Sequence, residues 1–321
     1  MSKVVITGGA GFIGSHIAAE VAKEYEVVII DNLDDYYSPD PKRRNLKLLL
    51  ANPNVRFIEC DITDSDLLRR VIDSDVEFVF HEAAQAGVRI SVEDPFKPND
   101  VNVLGTLNVL KASLDAGVKR MINASSSSSV YGKVQYLPFD EAHPTMPVSP
   151  YGVSKLAAEH YCRVFYEVYG LPTVSLRYFT VYGPRMRPDL AISIFTGKML
   201  ANEPITVFGD GNQTRDFTYI DDVVRVNRRL LETSAADGHV MNVGGGHRIT
   251  VNDLIAHLRE ITGSTSEVVY SKKQKGDAEH TLADTSLAER LVGYRPGVSI
   301  GEGLRRFVEW YTASLRELPY K

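Results

Sequence analysis

Cysteine is nearly missing from this chain. Two of them, Cys60 and Cys162, in 321 residues cannot make a disulfide framework or a four-ligand zinc site. Both are expected to be reduced packing residues. No stretch approaches the roughly 18 apolar residues of a membrane-spanning helix. The start, Met1-Ser2-Lys3-Val4-Val5-Ile6-Thr7, meets Gly8-Gly9 too soon to form a signal-peptide core, so a reducing, cytoplasmic location is expected. The eight histidines lack metal-site spacing, and no metal is expected. An excess of positive charge is also missing. Acidic residues outnumber basic ones 41 to 36, for a net charge of −5. That balance argues against nucleic acid or an anionic membrane as a partner, while leaving room for a local phosphate pocket. Repeats are absent, and the one low-complexity piece is Ser125–Ser129.

What remains is an ordinary globular composition, 44% hydrophobic and 24% charged, at a length that suits two domains. In the first half, short β-branched runs alternate with helical patterns. Strands are predicted at Val4–Thr7, Val27–Ile30, Phe57–Cys60, Phe78–His81, Met121–Ala124 and Thr173–Arg177, with helices at Ile13–Lys23, Ser65–Ile72 and Asn102–Ala116. Such alternation predicts a parallel sheet covered on both faces. After about residue 178 the grammar changes. Pro184, Pro188, Pro204 and Gly209-Asp210-Gly211 interrupt the chain. Thr250 and Asp253 mark a helix start, and Leu304, Phe307, Val308 and Tyr311 form a helical stripe. A smaller α/β lobe is expected there.

Gly8, Gly11 and Gly14 sit between the first strand and the first helix. Glycines at this spacing permit a tight turn, let the backbone approach a pyrophosphate and let the helix pack close to the sheet. The helix start, at Phe12 and Ile13, then offers free N–H groups to phosphates. Asp31 ends the second strand, 23 residues after Gly8. With Asn32 beside it, it is placed to accept from adenosine ribose hydroxyls, and its charge would repel a 2′-phosphate. These features point to NAD. Asp61 and Ile62 after the third strand are candidates for the adenine side, and Ala83-Ala84 after the fourth leave room for the cofactor.

Tyr151 and Lys155 are four apart, about one helical turn. A phenol near pKa 10 is a poor base at pH 7. A neighbouring ammonium and a cationic nicotinamide would favour its phenolate and poise it to take a proton from a hydroxyl. The spacing alone is common. It gains weight from the serine run, which follows the Met121–Ala124 strand, because ligands bind at strand ends in open parallel sheets.

Taken together, TGGAGFIGS at 7–15, HEAAQAGVR at 81–89, NVLGT at 102–106, SSSSSVYG at 125–132, YGVSK at 151–155, LRYFTVYGP at 176–184 and GDGNQTRDFTYIDD at 209–222 resemble the extended short-chain dehydrogenase/reductases. Within these, the chain is similar to the NAD-dependent nucleotide-sugar epimerases and dehydratases. The resemblance implies a Rossmann-type doubly wound parallel sheet with a smaller C-terminal α/β substrate lobe. Residues 1–178 would bind NAD, residues 179–321 would mainly hold a nucleotide sugar, and a segment near 217–247 would return to the first domain. It implies a catalytic set of Ser127, Tyr151 and Lys155, with Tyr151 and Lys155 also touching NAD. Arg215 resembles the arginine that holds the substrate diphosphate. A homodimer through the helices of 102–116 and 151–169 is implied as well.

By the same resemblance the reaction starts with oxidation of the sugar C4 hydroxyl. Dehydratases of the family carry Asp-Glu, and decarboxylases Glu, just before Val-Tyr-Gly. Here Ser128 and Ser129 stand at those places and cannot act as acids, so epimerisation is expected. Asp34–Pro39, Ala84–Arg89, Arg187-Pro188-Asp189 and Gln274-x-Gly276-Asp277 look like UDP-glucuronate 4-epimerases, although Arg185-Met186 stands where those have Trp-Gly and Lys275 where they have proline. Galactose-type epimerases have Asn where this chain has Thr180. A 4-keto uronate is primed to lose carbon dioxide. Hydroxyls of Ser128, Ser129 and Thr180 would hold its carboxylate out of the geometry for that loss, each such bond being worth about 1.5–3 kcal/mol. Arg89 and Arg187 are expected to supply charge near the sugar or phosphates, and Asp277 to contact substrate. The alternatives are UDP-glucose or UDP-N-acetylglucosamine epimerisation, a decarboxylase or net oxidoreductase, and a non-catalytic NAD-binding protein.

Overall fold

A computed structural model describes residues 1–272 and 279–316. The apolar runs become strands β1 (Lys3–Thr7), β2 (Glu26–Asp31), β3 (Val55–Glu59), β4 (Val76–His81), β5 (Arg120–Ser126) and β6 (Thr173–Tyr178). A further strand, β7 (Val240–Val243), completes a seven-stranded sheet in the order β7-β6-β5-β4-β1-β2-β3. Every neighbouring pair is parallel. The runs are continuously apolar because both faces are covered. Val4 and Ile6 enter one core and Val5 the opposite one, each fully buried. Burying each such side chain stabilises the fold by about 1.5–3 kcal/mol. The chain winds outward from β1 through β2 to β3, then crosses back to β4. That switch opens a crevice at the C-terminal ends of β1 and β4.

The helix Phe12–Val21 follows the glycine turn and packs against the helix Ile220–Arg229. That helix and β7 belong spatially to the sheet, although they come after the start of the lobe in sequence. The remaining lobe is built from the helices Ala191–Leu200, Val251–Thr262 and Ile300–Arg316, packed in that order. Short ladders flank them, Ile205–Phe208 with Val268–Ser271 and Thr214–Asp216 with Arg248–Thr250. The Thr250 hydroxyl accepts from the Asp253 amide while the Asp253 carboxylate accepts from Thr250, a reciprocal cap. Leu304, Phe307 and Val308 are buried, with Tyr311 partly so.

One predicted helix differs. Asn99–Gly105 is a π-helical stretch that runs into an α-helix only at Thr106–Ala116. The side chain of Asn102 is held by the Gln85 backbone, accepting from its N at 2.7 Å and donating to its O at 3.0 Å, and also donates to Ser154 Oγ. Thr106 Oγ1 donates back to the Asn102 carbonyl at 2.6 Å. These bonds lie within or beside the π-helical stretch, whose turn holds one residue more than an α-helical one.

Candidate active site

A cleft of about 480 Å³ opens over the C-terminal strand ends, within the range of small-molecule and cofactor sites. Its nucleotide end begins at Gly8, where φ is +69° and a Cβ would lie 2.6 Å from the Ala83 amide nitrogen. At Gly14 a Cβ would lie 2.4 Å from the Gly8 carbonyl oxygen. Only glycine leaves the cradle open at both positions. Gly11 caps the Phe12–Val21 helix, and Phe12, Ile13 and Gly14 of its first turn line the cleft. Asp31 stands at the end of β2, accepting from the Leu33 amide at 2.9 Å and the Ala10 amide at 3.2 Å. Burial raises its pKa, opposed by Lys42 at 3.8 Å. Asn32 Nδ2 donates to Asp61 at 2.7 Å, joining the two loops expected around the adenosine. Burial pushes the Asp61 carboxyl up, but bonds from the Thr63 amide and hydroxyl outweigh it and leave the pKa lowered. Ile62, Ala83 and Ala84 line the same wall.

A glycine cradle, a helix start and an acid at the second strand end make up the donor and acceptor set that a dinucleotide needs. The residues therefore fit NAD. Gly8, Gly11 and the Phe12–Gly14 amides would hold the pyrophosphate, and Asp31 the adenosine ribose.

At the other end the helix Pro150–Tyr169 starts at Ser149, whose hydroxyl accepts from the Gly152 amide at 3.1 Å. Its first turns deliver Tyr151 and Lys155 to the cleft. Burial raises the Tyr151 phenol above its ordinary range, while the Arg187 guanidinium and a hydrogen bond with Ser126 pull it down. The Arg187 guanidinium thus acts on the phenol, a contribution the sequence analysis did not anticipate. Burial lowers the Lys155 ammonium, and Glu82 opposes this.

The hydrogen bond that lowers the Tyr151 phenol comes from Ser126, whereas the family resemblance implies Ser127. Strand β5 ends at Ser126, and side chains alternate along it. The Ser125 hydroxyl donates to Glu159, and Ser125 and Ser126 both line the cleft. Ser127 begins the turn that follows. Its amide donates to the Tyr178 carbonyl at 3.2 Å, and the residue is buried off the cleft wall.

Thr180 and Arg187 line the cleft. Arg187 is held by Asp189 through bonds of 3.0 and 2.9 Å, and stacks 5.5 Å from the Tyr36 ring centre. Three other expected substrate residues lie off this wall. Ser129 is on the Ser128–Tyr131 turn, with its carbonyl against Gly152. Arg89 stacks 5.1 Å from the ring centre of Phe208, bridging to the lobe. Arg215 donates to the Thr214 carbonyl at 3.0 Å and the Glu279 carbonyl at 3.3 Å. Asp277 and the side chain of Ser128 lie outside the described residues. Sequence reading passed over Glu82, Tyr178, Tyr36 and Lys42, all on the cleft wall. Glu82 was visible as the one acid inside HEAAQAGVR.

Residues 4–244 match the NAD dependent epimerase/dehydratase family. The chain is 40% identical over 311 residues to a putative UDP-glucose 4-epimerase of Methanocaldococcus jannaschii, covering 96% of this chain and 97% of that one. It is 39% identical over 314 residues to a UDP-glucuronate 4-epimerase of Thermodesulfobacterium geofontis, covering 97% and 96%. The UDP-glucuronic acid 4-epimerase of Bacillus cereus, solved in complex with UDP-glucuronic acid and NAD, superposes with a TM-score of 0.92 at 39% identity, covering 97% of this chain and 99% of that one. With the glycine cradle, the strand-end acid and the Tyr151–Lys155 pair in one cleft, the chain belongs to the NAD-dependent epimerase/dehydratase family, among its UDP-sugar 4-epimerases, which are isomerases.

Proposed function

We propose that the protein interconverts UDP-glucuronate and UDP-galacturonate by inversion at C4. The observation that carries this reading is that Arg187 lines the cleft together with Tyr151, its guanidinium pulling the phenol down. A base that takes the C4 proton stands beside the sugar's C5 substituent, so a cation close to the phenol is also close to a uronate carboxylate. Thr180 and Ser126 add hydroxyl donors on the same wall. Hydrogen bonds to an ionised acceptor are worth about 1.5–3 kcal/mol each. Donors of this kind would hold the carboxylate of the 4-keto sugar away from the geometry that loses carbon dioxide.

Tyr151 would take the C4 hydroxyl proton and later return it. Lys155 would hold its charge beneath that exchange, and Ser126 would orient the phenol. Ser125 and Ser126 would shape the floor on which the sugar turns over, with Ser127 and Ser129 supporting it from behind. Bound NAD supplies the hydride acceptor and later the hydride donor. Arg89 and Arg215 would reach the diphosphate from the lobe side.

A second reading, a neutral UDP-sugar such as UDP-glucose, is favoured by Asp189, which already holds Arg187 at 2.9 Å. Incubation with UDP-glucuronate without added NAD, followed by proton NMR, separates the readings. UDP-galacturonate without pentose or free NADH is the expected product. Conversion of UDP-glucose alone would overturn the uronate reading, and UDP-xylose would make the enzyme a decarboxylase.

We also propose a homodimer. Val153, Val164, Val168 and Tyr169 on the Pro150–Tyr169 helix and Leu104 on the preceding π-helical stretch are exposed apolar residues, an apolar face of the kind that marks an interface. Sedimentation at micromolar concentration should show twice the chain mass. Among the described residues no helix is long and apolar enough to cross a membrane. Both cysteines are free and buried, with thiols pushed by burial to about 11 for Cys60 and about 12 for Cys162, which suits a reducing cytoplasm.

A further inference from the structure

Glu82 follows His81 at the end of β4 and lies on the cleft wall with Tyr151, Lys155 and Tyr178. The Tyr178 hydroxyl donates to Glu82 Oε1 at 3.1 Å, and Asn227 Nδ2 donates to that hydroxyl at 2.8 Å. A chain of two bonds from β6 and the Ile220–Arg229 helix thus aims the carboxyl. We propose that Glu82 is the counter-charge that keeps Lys155 protonated, a positioning residue for the Tyr151–Lys155 pair. The inference rests on the reading of that pair given above.

The argument goes by elimination around a buried ammonium. Lys155 is 2% exposed, and burial without a counter-charge drives a lysine towards its neutral form. Three acidic groups act on it: Glu82 first, then Cys162 and Glu159. The Glu159 carboxylate is already taken, accepting two bonds from Arg177, at 2.9 and 2.8 Å, and one from Ser125. The Cys162 thiol, pushed by burial to about 12, stays neutral. His81, next to Glu82, has both ring nitrogens bonded, to Thr7 at 2.7 Å and Thr106 at 2.9 Å. Burial holds it down at about 3, so it too is neutral. Glu82 is then the acid of this group whose charge is uncommitted. Burial raises its own pKa to about 7, against the pull of Tyr178 and Lys155. It ionises as pH rises through neutrality, and so faces the buried Lys155 ammonium as a carboxylate on the alkaline side.

The test is the pH profile of kcat for Glu82→Gln and Glu82→Asp, using the UDP-sugar that the wild type turns over. The alkaline limb reports loss of the Lys155 proton. In Glu82→Gln it should move to lower pH by about one unit or more, the usual effect of removing an opposite charge, with KM unchanged. Glu82→Asp should move it back. Bound NAD and the melting temperature report folding; if Glu82→Gln fails there, Glu82→Leu takes its place, since it leaves no unpaired amide. A wild-type limb in the uncharged variant would overturn the inference, as would a limb shifted equally in Glu82→Asp. Full turnover by Tyr151→Phe would instead overturn the underlying reading, so the two failures are distinguishable.

Discussion

Glu159 lies one helical turn beyond Lys155 and binds Arg177 through two parallel hydrogen bonds, Nε to Oε1 at 2.9 Å and Nη2 to Oε2 at 2.8 Å. Both side chains are at most 6% exposed. The guanidinium also lies 4.7 Å from the Tyr131 ring centre. The pair locks the Pro150–Tyr169 helix to β6, and so fixes where Tyr151 and Lys155 stand against the cleft floor. Breaking a buried ion pair from one side leaves an uncompensated charge. Glu159→Ala should therefore lower unfolding stability by about 3–5 kcal/mol, read by urea denaturation. A loss below 1 kcal/mol, less than any buried charge pair should show, would mean that water reaches Arg177.

The serine run makes a sharper test. The Ser126 hydrogen bond lowers the Tyr151 pKa, so Ser126→Ala should shift the acidic limb of kcat to higher pH. Ser127, bonded through its backbone, should leave that limb in place when changed to alanine. The opposite pattern would give the phenol contact to Ser127, as the family resemblance implies.

Gly8 is strained for any other residue and cannot take a Cβ without meeting the Ala83 amide nitrogen at 2.6 Å. Gly8→Ala should purify with little or no bound NAD, measured by absorbance after denaturation. Retention of a full complement would mean that the loop relaxes and does not form the pyrophosphate cradle. The cost of the left-handed backbone alone is about 1–2 kcal/mol.

A buried histidine, His81, and a partly buried one, His16, contribute to the response to acid. Burial lowers His81 to about 3, and burial with the Arg185 charge lowers His16 to about 4. Both folded values lie below the unfolded 6.5, so between those limits the unfolded chain binds more protons. Stability then rises with pH through that window and is lost as pH falls. The contribution of His81 should be about 1.4 kcal/mol for every pH unit across it. Melting temperatures from pH 7 to pH 4 should fall steeply in the wild type and less so in His81→Gln. Equal slopes would show that His81 is not buried neutral.

Much of the nucleotide end was legible because its constraints are local. A positive φ needs glycine at Gly8, and a helix start must follow Gly11 at once; both are matters of adjacent residues. The chemistry end was less legible. Tyr151 and Lys155 share one helix turn, so their spacing could be read, but the serine opposite them depends on where β5 stops. Five identical residues carry no signal of that. Glu82 was unreadable as a partner of Lys155, because 73 residues separate them in the chain. Their approach depends on β4 and the Pro150–Tyr169 helix meeting over the same strand ends.

The sequence by itself determined the parallel sheet, the glycine cradle, the acid at the end of β2 and the Tyr151–Lys155 pair. Each of these rests on the pattern of residues within one or two elements. Tertiary structure alone decided the rest. It brought β7 beside β6 and gathered Ser126, Arg187 and Glu82 onto one cleft wall with Tyr151 and Lys155. The reason is physical. Periodicity and turn chemistry act along the chain, whereas charge, burial and hydrogen bonding act through space between elements that only packing brings together.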